Sequence, residues 1–309
     1  MKHLFKNVVL FICLFFTVIL VIQIAISTRI KGKSVTGFDT LDTTENINAD
    51  LVFIGSSRCW AHFDPNFFEE NYNLKSVNIG MSGFSEIEPT KLRLKNYLAK
   101  NKKPKYVIFN IDPFLKATIK KNKNLINKNS YSVYAFLPCK KNLAIVNFYK
   151  FNNYEKYIPL YAIFKYKILF DCLTLNKSNS FPNGFESNDE IWNQKKYPSS
   201  AINKKIFFKQ NETHKITDAL EELKLLCKEN NILLICIQTP VYKSTYDTKA
   251  FEIPKTICKK LNIPFIDLSN SYIKDKMNYF YNDIHLNKNG VTEMNKLLKN
   301  EKELTNFLK

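Results

Sequence analysis

Arginine is nearly missing from this chain: of 46 basic residues only three are arginine, Arg29, Arg58 and Arg93. Arginine is the side chain that grips phosphate and guanine with two parallel N–H donors, so its scarcity argues against a nucleic-acid reader even at a formal charge of +18. The lysines that carry the charge are spread rather than clustered, the pattern of a solvated surface, and would also suit an anionic lipid or glycan. Glycine is scarce too, at seven residues, and none of them builds a phosphate-cradling loop or a dinucleotide fingerprint. The seven cysteines show no CxxC spacing, which speaks against a paired-cysteine zinc knuckle and a thioredoxin-type motif. No metal-ligand cluster is visible, and no cofactor is expected.

Apolar residues make up 45% and charged residues 24% of the 309 positions, a balance that rules out wholesale disorder and suits one large domain with an appendage. From Val8 to Ile26 run 19 residues of which only Thr17 and Gln23 are polar, nearly enough helix to cross a ~30 Å hydrocarbon core. The exit Ala25-Ile26-Ser27 is a poor cleavage site, so residues 1–28 are expected to remain as a signal anchor. Basic residues lie on both sides of the span and leave its orientation unset. Residues 29–48 are polar, without period, and read as a linker to a domain over 49–309.

In that domain, apolar runs at Asp50–Gly55, Lys75–Ile79, Tyr106–Ile111, Ile232–Ile237 and Pro264–Leu268 read as strands buried on both faces of a parallel sheet. Between them lie helical stripes: Leu92, Leu94, Tyr97 and Leu98 after a capping-box spacing at Ser85–Glu88, then Ile216, Leu220, Leu223 and Cys227, and finally Val291, Met294 and Leu298. Strand–helix alternation predicts an α/β sandwich with right-handed crossovers. It lapses over about 115–200, read as an inserted, mainly helical subdomain, with Tyr154–Leu173 supplying one helix. Placed after the third strand, that insertion is expected near the carboxyl ends of the sheet, as a lid, an acceptor-binding element or plain packing.

Two short segments carry chemistry. Ile54-Gly55-Ser56-Ser57-Arg58 ends the first strand and puts a serine on a strand-to-helix turn, where neighbouring amides can stabilise an oxyanion. Near the other end, Tyr281-Asn282-Asp283-Ile284-His285 precedes the last helix and sets a histidine beside a carboxylate, the pair needed to hold one tautomer and act as base toward a hydroxyl.

Taken with Asn78-Ile79-Gly80-Met81-Ser82-Gly83 after the second strand, these segments resemble the SGNH (GDSL-like) hydrolase superfamily over residues 50–112 and 230–300. The resemblance implies a flavodoxin-like three-layer sandwich around a parallel sheet. It implies Ser57 as nucleophile and first oxyanion donor, Gly83 as second donor, and His285 as base. The third block reads Asn110-Ile111-Asp112-Pro113 and lacks a clear oxyanion asparagine, so Arg58 enters as a substrate-binding group. The usual acid position is filled by Asn282. Asp283 is the expected orienting acid, because residues i and i+2 of an extended segment face the same way, with Asn282 as the alternative.

Membrane-anchored relatives of this type imply a domain outside the cytoplasm. They also imply acyl transfer to, or ester hydrolysis on, an envelope polysaccharide or glycolipid, with a membrane protein as a candidate acyl donor and no nucleic-acid partner. A catalytically impaired scaffold or glycan-binding protein is the alternative.

Overall fold

In this computed structural model, the structure describes residues 1–29, 46–81, 86–117, 149–173, 188–195, 210–243 and 249–309, with short stretches at 132, 135–138 and 182–185. The chain divides into two compact units, one of residues 1–43 and 120–180, the other of 44–119 and 181–309.

The larger unit is built on five parallel strands: β1 (Leu51–Gly55), β2 (Ser76–Asn78), β3 (Tyr106–Asn110), β4 (Leu233–Gln238) and β5 (Phe265–Asp267), in the order β2-β1-β3-β4-β5. Four lie inside the apolar runs read from the sequence, and β4 runs one residue beyond its own, to Gln238. Alternate residues face opposite layers: Val52, Ile54, Val107 and Cys236 join one core, Leu51, Phe53, Ile108 and Ile235 the other. The first core is covered by α4 (Ile87–Leu98) and by Ile216, Leu220, Leu223 and Cys227 of Gln210–Glu229, the second by α3 (Pro65–Tyr72) and by Val291, Met294 and Leu298 of Lys288–Asn300. The result is the expected three-layer α/β sandwich. The strand order reverses between β1 and β3, and in open α/β sheets the crevice at the carboxyl ends of those strands is where ligands bind.

The smaller unit contains α1 (Lys2–Arg29), a helix long and apolar enough to cross a membrane. With it come three one-turn helices, α5 (Asn153–Tyr157), α6 (Tyr161–Lys165) and α7 (Leu169–Leu173). The single helix expected over Tyr154–Leu173 is therefore broken twice. Pro159 disfavours helical backbone at Ile158, and Leu160 (φ 62) and Lys167 (φ 56) adopt left-handed conformations that no helix continues through. The linker 29–48 lies mostly outside the described residues, as does Ser85 of the capping box.

Candidate active site

Strand β1 ends at Gly55, whose φ of +147 only glycine adopts easily and whose missing Cβ would meet the Asn110 carbonyl at 2.9 Å. The chain then turns into α2 (Ser57–His62), with the Ser56 hydroxyl capping it by accepting from Arg58 N at 3.1 Å. Gly80, after β2, lets that strand's end close on α2: a Cβ there would sit 2.8 Å from Trp60 N and 3.0 Å from Ser56 O. Ser57 is thus presented, part exposed, at the first turn of α2 on the carboxyl edge of the sheet. Helix-opening amides such as that of Ser57 have no partner within the helix and are available to an oxyanion.

His285 reaches Ser57 from 228 positions along the chain, its Nε2 lying 2.8 Å from Ser57 Oγ. The segment that carries it is a tight loop: Phe280 bridges Leu286, Tyr281 N donates to His285 O at 3.1 Å, and Asn287 caps the following helix by accepting from Gly290 N at 3.0 Å. Tyr281 stacks on the imidazole at 5.3 Å between centroids, nearly parallel.

The group at the far ring nitrogen is Asn282, not Asp283. Asn282 Oδ1 lies 2.9 Å from His285 Nδ1 and accepts from the amides of Ile284 (3.1 Å) and His285 (2.9 Å). The expectation of Asp283 assumed an extended segment; the chain bends here, so the residue three before the histidine turns back onto it, as in an Asx turn. Asp283 is 8% exposed and its carbonyl accepts from Tyr242 N at 3.0 Å. The two backbone donors also decide which way the Asn282 amide faces. Its oxygen must point toward them, so Nδ1 carries the proton and Nε2 is left to accept from Ser57.

Arg58 is not free to bind substrate. It is fully buried, and its guanidinium donates to Asp112 Oδ1 (2.9 Å), to Thr239 O (2.5 Å) and Oγ1 (2.8 Å), to Pro240 O (3.1 Å) and, through Nε, to Ile284 O (3.2 Å). A side chain committed to the ends of β3 and β4 and to the His285 loop holds the site together. The Asp112 carboxylate is in turn spent on Arg58 and the Ser56 hydroxyl rather than facing a developing oxyanion. Burial raises the Asp112 carboxyl above the usual range, against the pull of Arg58.

His62, one turn further along α2, is a group the sequence reading missed. Buried at 0% exposure, it accepts from Leu286 N through Nε2 at 3.0 Å and lies 2.8 Å from Thr239 Oγ1 through Nδ1. The residues on either side of His285 are therefore both pinned by side chains of α2, the helix that begins with Ser57. Spacing on a helix was its available signal: Arg58 and His62 are i and i+4 and point to one side. Asn110 is buried at 1%, its amide lying against Cys59 N at 3.1 Å and Ile237 O at 3.2 Å, and so is not an oxyanion donor. Gly83 lies outside the described residues.

Burial, then the Arg58 charge, lower the His285 pKa to about 3, and burial also holds His62 well below its ordinary value. A base must be neutral to act, so His285 stays competent down to about pH 3, where an unperturbed histidine fails below ~6.5. The expected kcat/KM profile is flat through pH 5–6, measured at low temperature. Thermal stability behaves differently, falling below pH ~6.5 as the unfolded chain takes up protons that both folded imidazoles refuse. Asn282→Asp should place a carboxylate on Nδ1, move the acid limb up by ~1–3 pH units and raise kcat/KM by stabilising the imidazolium. An unchanged profile in that variant would show that Asn282 does not act on the ring.

No protein-family model matches the chain, and no curated protein does. Among solved structures it is similar to a Bacteroides fragilis protein named as an acylhydrolase (14% identity, 84% of this chain and 88% of that one, TM-score 0.39). It is also similar to a GDSL-like lipase from Bacteroides thetaiotaomicron (14%, 81% and 85%, TM-score 0.39). A third is an acetyl xylan esterase (11%, 80% and 96%, TM-score 0.39). Likenesses at these values carry no functional assignment.

Proposed function

We propose that this chain is a membrane-anchored serine esterase or O-acyltransferase of the SGNH type, acting on an acyl ester of an envelope glycan through Ser57, His285 and Asn282. The observation that supports it is the 2.8 Å approach of His285 Nε2 to Ser57 Oγ, with the ring's far nitrogen held by Asn282 at 2.9 Å. Ser57 Oγ attacks the ester carbonyl and its proton passes to Nε2. The tetrahedral intermediate then collapses, the bond to the leaving oxygen breaks, and the proton goes to that oxygen. Water or a sugar hydroxyl resolves the acyl-enzyme, which is the difference between hydrolysis and transfer. The domain's place is on the extracytoplasmic side, where such glycans are found, and no cofactor is required by these steps.

A second reading, a scaffold or glycan-binding protein with little chemistry, is favoured by one feature. An amide rather than a carboxylate faces the imidazole, so an imidazolium is poorly stabilised. Incubation of the reconstituted chain with an O-acetylated polysaccharide separates the two. An esterase releases acetate and a transferase moves it to an added sugar acceptor, while a scaffold binds the polymer and leaves its acetyl content unchanged.

A further inference from the structure

The smaller unit turns aromatic and apolar side chains outward. Tyr154, Tyr157, Phe164, Phe170 and Leu173 are between 50% and 72% exposed, and Tyr161 is 38% exposed. Tyr154 and Tyr161 lie 5.9 Å apart between ring centroids, so part of this surface is a contiguous aromatic patch. Single exposed apolar residues are ordinary, but six on three adjoining one-turn helices are not. Lys156 and Lys167 are interspersed among them, while Lys165 is paired with Glu155.

The same unit holds the carboxyl end of α1. Gln23, 2% exposed, accepts from Leu160 N through Oε1 at 2.7 Å and donates through Nε2 to Ser27 Oγ at 3.0 Å; Ile26 and Ser27 are buried beside it. Gln23 lies near the end of the apolar run, about 9 Å below Arg29 along the helix axis at ~1.5 Å per residue. The Leu160 turn therefore sits level with the last turns of α1. The Leu160 N–H is satisfied there by the polar residue in the last turns of the run, which ties this turn to α1. Glu155 organises the rest: fully buried, it accepts from Asn152 N (2.5 Å), Lys165 Nζ (2.6 Å) and the Tyr166 hydroxyl (2.7 Å), leaving the aromatic rings outside.

We infer that α5, α6 and α7 form an interfacial element that lies in the bilayer surface around the end of α1, with its tyrosines and phenylalanines at the headgroup level and its lysines toward anionic phosphates. Continuity with α1, the mixture of aromatic and basic side chains, and a backbone donor satisfied from α1 all fit a lipid interface. The inference rests on reading α1 as a membrane span.

The test uses the full chain in phosphatidylcholine–phosphatidylglycerol vesicles, carrying Phe164→Trp or Tyr157→Trp, both conservative exchanges at exposed positions. The tryptophan emission added relative to the parent chain is measured with lipids brominated near the headgroup or near the chain end. The expected result is loss of at least half of the added emission, greater with the shallow bromines, for both variants. A chain that floats with the vesicles but whose added emission is unaffected overturns the inference, and cross-linking of two copies through this surface would identify what covers it instead. A chain that fails to float overturns both this inference and the reading of α1.

Discussion

Ser57→Ala is expected to lower ester turnover by ~10⁴-fold or more while leaving the fold intact. The size follows from what is removed. Without Oγ there is no atom for His285 Nε2 to deprotonate, and the only proton path across the 2.8 Å gap disappears. The fold should be indifferent, because Ser57 is part exposed and the cap of α2 is made by Ser56, whose hydroxyl accepts from Arg58 N. Turnover of a simple acetyl ester, set beside the melting temperature, checks both halves. A variant with undiminished rate would reject the nucleophile.

The second large effect is on stability. Arg58→Met should cost ~3–5 kcal/mol, because it leaves the Asp112 carboxylate, 2% exposed, without its counter-ion. For a unit of this size that lowers Tm by roughly 6–20 °C. The same exchange frees Ile284 O beside His285, so activity at a temperature where the variant is folded should fall as well. Adding Asp112→Leu removes the stranded charge and should recover most of the stability, as replacing a buried pair with apolar groups often does. It cannot restore the hydrogen bond to Ile284. Recovery of Tm without recovery of kcat is therefore the expected outcome for the double variant; recovery of both would mean that Arg58 has no part in placing the histidine loop.

The sheet was legible because strands buried on both faces must be written as nearly unbroken apolar runs, and all five such runs contain strands. Ser57 was legible because it lies where an apolar strand stops and a helix begins, and His285 because it stands beside a carboxylate just before the last helix. The partner of His285 was not, since the choice between Asn282 and Asp283 depends on whether the chain is extended or bent over four residues. Two backbone amides converging on Asn282 Oδ1 settle that, and neither is visible in a periodicity. Arg58 misled for a different reason. It was read as substrate-binding because the third block lacks an oxyanion asparagine, and its burial follows from partners at Asp112, Thr239 and Ile284, up to 226 positions away. Pro159, by contrast, was in plain view, and the broken helix at 153–173 was available to a stricter reading of the residue before a proline.

A hydroxyl made nucleophilic by one imidazole is the centre of this site, and covalent trapping tests it most directly. After treatment with a fluorophosphonate at neutral pH, the peptide that contains Ser57 should gain the mass of one phosphonyl group, and the His285→Ala chain should gain it far more slowly. A full-length, folded chain that leaves this peptide unmodified, or takes up the label equally well without His285, would contradict the account.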